Sequence, residues 1–124
     1  MTRSRTLATI GLSATLLLAG VPASAAGAAY SHYVGCGLTK AAKPAHACAK
    51  SSKKGAFFES RKADVLHSVC LKPPAGRTLC ANAQRARAGQ LKVNRITATT
   101  PGRYVVTWFV DGKHVGSFAF RVGG

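Results

Sequence analysis

The amino-acid sequence predicts an all-β protein: a small β-sandwich of about six antiparallel strands, with a disulfide-looped N-terminal arm and, ahead of both, a signal-peptide helix. Three observations carry this reading. From Gly55 onward, short runs of β-branched and aromatic residues alternate with turn residues at the spacing of a sandwich or barrel. All four cysteines lie downstream of the first 25 residues. The chain has 124 residues, room for one core of ordinary size.

Residues 1–25 read as an address. Arg3 and Arg5 precede an uncharged apolar run, Thr6 to Gly20, and Ala23-Ser24-Ala25 places small residues where a signal peptidase cuts. The run falls short of the roughly twenty residues of a membrane span, and Pro22 follows it, so no anchor is expected after processing. Ser4 separates the two arginines and Val21 stands where a lipoprotein would carry cysteine, which leaves general secretion of a soluble product. The mature chain begins near Ala26.

Residues 26–54 are rich in Ala and Lys, with only Tyr30, Tyr33, Val34 and Leu38 as larger apolar groups. Such a stretch buries little and is expected to be a loosely ordered arm with one local loop. Cys36, Cys48, Cys70 and Cys80 are even in number in a short exported chain, which reads as two disulfides. The turn Pro73-Pro74-Ala75-Gly76 folds two short strands back on each other and favours Cys70 with Cys80, leaving Cys36 with Cys48. A zinc site built from these cysteines with His46 or His67 lacks the short Cys-x-x-Cys spacing, and neither metal nor cofactor is expected.

Residues 55–124 form the sandwich, with strands expected at Ala56 to Ser60, Asp64 to Leu71, Gly76 to Ala81, Gln90 to Thr97, Arg103 to Val110 and His114 to Val122. In the last hairpin Tyr104, Val106 and Trp108 alternate on one strand, and Phe118, Phe120 and Val122 on the next. A two-residue Asp111-Gly112 turn would put these two sets on opposite faces. A three-residue loop, Val110-Asp111-Gly112, with Gly112 left-handed as a bulge, opposes 108 with 114 and 104 with 118 and brings both sets to one face.

The segment Thr100-Pro101-Gly102-Arg103-Tyr104-Val105-Val106 resembles the tyrosine corner that opens the penultimate strand of immunoglobulin-like sandwiches, and Trp108 to Lys113 is similar to the terminal hairpin of bacterial domains of that family. The resemblance covers about the last quarter of the chain. It implies an Ig-like β-sandwich and structural roles for Tyr104, Trp108 and Gly112, with the Tyr104 hydroxyl bonded back to the chain just upstream.

No catalytic constellation emerges. Glu59 and Asp64 are the only neighbouring carboxylates and sit among Arg61 and Lys62. His67 lies three residues from Asp64, which on a strand puts the two on opposite faces, and no Gly-x-Ser-x-Gly turn is present. His32 and His114 read as surface residues. The chain is therefore not expected to be an enzyme.

Charge is the strongest remaining signal: 18 Lys and Arg against 3 Asp and Glu, a net +15. Removing Arg3 and Arg5 leaves +13, of which +5 falls on the arm and +8 on the sandwich. Such a field favours anionic partners and weakens with salt. Lys50, Lys53 and Lys54 form the tightest cluster; Arg85, Arg87, Lys92 and Arg95 form a second, divided because Lys92 shares a face with Asn94 opposite Arg95. With no groove-reading helix or stacking strip in the pattern, specific nucleic-acid recognition is not expected. The expectation is a secreted, extracellular, non-catalytic domain that binds or adheres to an outside partner. The charge fits two readings equally, an anionic polymer or envelope surface as that partner, and a one-sign surface that keeps a small secreted protein soluble. The alternative is a secreted cationic effector, antimicrobial or enzyme-inhibiting. Intact-mass measurement of the exported product should place its first residue at Ala26; an uncut chain would refute the address.

Overall fold

The structure, a computed structural model, describes residues 29–123. The signal-peptide reading, with its helix, lies outside the described residues. Nine strands are present among those described: β1 (Tyr30–Gly35), β2 (Ala47–Cys48), β3 (Lys54–Ser60), β4 (Val65–Lys72), β5 (Leu79–Cys80), β6 (Gln84–Ala86), β7 (Leu91–Ile96), β8 (Gly102–Val110) and β9 (Lys113–Val122). They make two sheets. The first has the order β1-β3-β7, and the second β2-β9-β8-β4-β5, with β6 also paired to β4. Every pairing is antiparallel except β2 with β9.

Alternation builds the core between the sheets. Ala56 and Phe58 of β3, Ile96 of β7, Val69 of β4, Tyr104, Val106, Trp108 and Val110 of β8, and Phe120 and Val122 of β9 are all buried in one cluster. The immunoglobulin-like resemblance of the last quarter holds in its structural detail: Tyr104 Oη donates to the carbonyl of Thr100 at 2.6 Å, and its ring stacks on Phe120.

The hairpin brings its apolar sets to one face, by a different device from the one expected. Asp111 and Gly112 form a two-residue turn with φ of 50° and 81°, both in the left-handed region, the signature of a type I′ hairpin. The extra residue sits further down: Trp108 opposes Gly116 and Phe109 opposes His114, so Val115 is the bulge. Tyr104 consequently faces Phe120, and Val106 faces Phe118. A type I′ turn matches the strand twist, and the bulge supplies the change of parity that the turn does not.

The arm is also different from expectation. Tyr30–Gly35 is a six-residue strand paired along its length with β3, and a boundary at residue 55 falls inside β3. The alternation Tyr30, His32, Val34 was hidden because a histidine occupies the middle inward position. Beyond β1 the chain folds over the outer face of the first sheet, with Ala42 and the Gly37 carbonyl close against Gly35 and Gly55. That cover, with Tyr33 stacked at 4.8 Å, leaves Phe57 fully buried although it points away from Phe58. The strand expected at Gly76 to Ala81 is reduced to Leu79–Cys80, since Gly76 at φ 96° belongs to the preceding turn.

Both expected disulfides are present, Cys36–Cys48 and Cys70–Cys80. Cys70 and Cys80 are register partners with Cα atoms 4.0 Å apart, so the bridge ties β5 to β4. His32 stacks on Trp108 across the sheets, and a Cβ at Gly116 would overlap its ring. Two outcomes follow. Replacing Cys70 and Cys80 by Ala should lower unfolding free energy by about 3 kcal/mol in a urea titration. Gly116→Ala should cost about 1–3 kcal/mol through overpacking and shift the emission of Trp108, the only tryptophan.

Candidate anion-binding surface

Strand direction sorts the charges. The end of β3, the starts of β4 and β7 and the β8–β9 turn lie together, tied by bonds from Gly89 N to Ser60 O and from Asp111 N to Leu66 O. All three acids are at this end. Asp64 Oδ1 accepts from Ala88 N at 2.9 Å, Asp111 Oδ1 accepts from Leu66 N, and Glu59 pairs in register with Leu91. The opposite end holds the start of β3 and the ends of β4, β7 and β9, and carries bases only: Lys50, Lys53, Lys54, Lys72, Arg77, Arg95, Arg103 and Arg121.

At that basic end Arg103 and Arg121 are direct cross-strand partners on the outer face of the second sheet. Both are exposed, and neither guanidinium has a hydrogen-bond or ion-pair partner among the described residues, the bond from Arg121 N to the His46 carbonyl being a backbone one. Like charges in this position repel, and a sheet normally avoids them. Arg103 is the common wall of two shallow depressions of about 250 and 300 Å³. One is completed by His46 and Arg121, the other by Lys72 and the Pro73-Pro74 turn. His46 is held in place by its Nδ1, which donates to the Ala119 carbonyl at 2.8 Å, and by stacking on Phe118. The sequence pattern did not reveal this group, because Arg103, Arg121 and Lys72 are distant in the chain. The three-residue hairpin loop would have set Arg103 opposite Ala119.

The clusters expected from sequence are distributed differently. Lys50 and Lys53 are exposed and border this surface, since Gly123 N bonds to Cys48 O beside them. Lys54 is buried, and its Nζ donates to the carbonyls of Ser52 at 2.7 Å and Lys50 at 3.2 Å. Burial lowers its pKa from the ordinary lysine value, and its donors are spent on tying down the 49–53 turn. It belongs to the scaffold. Arg85 and Arg87 lie at the acidic end, Arg85 opposite Leu66. Lys92 points inward near His67, and Arg95 outward from the first sheet. These four residues do not form one patch.

The residues considered for chemistry are committed to structure. His67 is 1% exposed, stacked on Phe58 at 4.6 Å, and bonded through Nδ1 to the Gln84 carbonyl. Burial lowers its pKa, opposed by the bonds to Gln84 and Asn94. His32, in contact with Trp108 and not on the open surface, is lowered first by burial, with His114 adding to the effect. Its Nδ1 is buried without a partner among the described residues. Tyr33 is raised by burial and then by Glu59. Among the described residues no group of three His, Cys, Asp or Glu could hold a metal.

No protein-family model matches the chain, and no curated protein matches it in sequence. Among solved structures it is similar to an alkylpurine DNA glycosylase of Pseudomonas fluorescens bound to abasic-site DNA, with TM-score 0.42 and 18% identity over 75% of this chain. The chain spans 30% of the length of that protein. It is also similar to an immunoglobulin-like protein from Pseudomonas aeruginosa, with TM-score 0.47 and 13% identity, covering 75% of this chain and 90% of that one.

His32 and His67 both sit below the ordinary histidine value of 6.5, so the unfolded chain takes up protons first as pH falls. Their contribution to stability is present above 6.5 and lost as pH drops through the lowered folded values. Thermal midpoints should be level above 6.5 and decline below it, with a shallower decline in His67→Gln; a midpoint that rises on acidification would contradict this.

Proposed function

We propose that the protein is an exported, non-catalytic binding domain that holds an anionic extracellular polymer or envelope surface against its basic end, with Arg103 and Arg121 at the centre. The observation that carries the reading is the cross-strand arginine pair, whose guanidinium groups have no partner among the described residues while every acid lies at the other end. Arrangements that cost a sheet stability are typically kept where they serve a site. Two disulfides suit a protein that matures in an oxidising compartment, and the expected signal peptide would take it there. The absence of catalysis is supported by the use of His67, Asp64 and Asp111 as internal hydrogen-bonding groups.

Retention on a heparin matrix is the test. Wild-type protein should elute earlier as salt rises. Replacing Arg103 and Arg121 by Ala should weaken affinity by about tenfold, or 1.4 kcal/mol, whereas Ala at Arg85 and Arg87, the same loss of charge at the other end, should change it little. Equal losses in the two double variants would reduce the binding to net charge and overturn the proposed site.

A further inference from the structure

The sandwich is not closed on all sides. β7 is the edge of the first sheet and the two-residue β5 an edge of the second; between them a cavity of about 280 Å³ enters the core. Val69 and Val106 form its floor, with Ile96 on the β7 side and Leu79 at the rim. Leu79 opposes Leu71 in register and therefore shares its core-facing side, yet it is 62% exposed. An apolar group on the inward face of a sheet is normally covered, and here nothing among the described residues covers it. Apolar walls with a few convergent polar groups are the usual form of a small-ligand site, and this volume lies just below the usual range, which suits a small occupant.

The polar groups and the surrounding field decide what fits. Asn94 lines the cavity from the inner face and also bonds to His67, while the exposed Arg95, whose side chain leaves the edge strand β7 on the outer face, lines it at the mouth. The cavity opens beside the ends of β4 and β7, the end of the molecule where no acid is found among the described residues. An occupant with an apolar body finds matching walls, and one with a negative head finds Arg95 and no opposing carboxylate. The site lies between the sheets, on the other side of the second sheet from Arg103 and Arg121, so it stands apart from the polymer-binding reading.

We propose that this slot binds the tail of a small, single-chain anionic amphiphile, a medium-chain fatty acid being its simplest member, with the head group at Arg95. The test is calorimetric titration of the mature protein with hexanoate, octanoate, decanoate and decanol. Affinity should rise roughly two- to fourfold per methylene and level off once the cavity is full. Ala81, exposed on the cavity wall, can be enlarged without touching the core. Ala81→Trp should weaken decanoate binding on the order of tenfold, as expected for displacing a few buried methylenes, with an unchanged unfolding midpoint. Leu79→Asp should do the same by repelling the head and removing the rim, and Arg95→Ala should weaken decanoate but not decanol. Undetectable decanoate binding, binding that ignores both Ala81→Trp and Leu79→Asp, or decanol binding as tightly as decanoate would each overturn the proposal.

Discussion

The register of the β8–β9 hairpin is the constraint from which most of the molecule follows. A type I′ turn at Asp111-Gly112 sets the strands with the right twist but the wrong parity, and the single extra residue at Val115 corrects it. Below the bulge, Tyr104, Val106 and Trp108 and their partners on β9 all face the core. The same shift brings Gly116 opposite Trp108, leaving a gap on β9 that the His32 ring occupies from the other sheet. It also brings Arg103 opposite Arg121. Core, sheet-to-sheet contact and candidate site are thus consequences of one inserted residue.

A second constraint is that β3 is buried on both faces. Phe58 points into the core and stacks on His67, while Phe57 points outward and needs the 36–43 segment and Tyr33 to cover it. The cover has little hydrophobic content of its own. Its attachment comes from Cys36–Cys48, from the Ala45 N to Val34 O bond and from the pairing of Ala47–Cys48 with the end of β9. Lys54 serves the same purpose by holding the 49–53 turn through two carbonyls. A composition dominated by Ala, Lys and Ser builds a lid because covalent and hydrogen bonds replace the apolar area it lacks.

Much of this was legible in the sequence where period and turn chemistry speak locally. Most of the longer sandwich strands from Gly55 onward, the inward set of the last hairpin, the disulfide partners and the division of Lys92 from Arg95 follow from alternation and spacing, and the Tyr104 corner from the resemblance of its segment; Gln84–Ala86 was not expected. What was not legible depended on pairing at a distance. β1 was obscured because His32, normally a surface residue, takes an inward position against a glycine on a strand more than eighty residues later. Lys54 is the local exception: the carbonyls its ammonium meets belong to Ser52 and Lys50, but the turn that aims them at it leaves no mark in a charge pattern. The Arg103–Arg121 pair depended on a register that the two-residue turn alone misplaces by one position and the expected three-residue loop by two, and a charge map built on sequence proximity selected Arg85 and Arg87 instead.

The contact between the first described strand and the last carries a kinetic consequence. His32 of β1 packs on Trp108 and Gly116, and Ala47–Cys48 pairs in parallel with Arg121–Val122, so the N-terminal part of the sandwich has its partners at the far end of the chain. Such long-range pairing slows folding, because loop-closure entropy is spent before the contacts that repay it form. A nascent chain lacking β9 can pair β1 with β3 but has no strand on which to seat β2 and no Gly116 to receive the His32 ring. Closure of the two sheets on each other must therefore wait for β9, and until that strand is made the half-built sandwich stays open to unfolding.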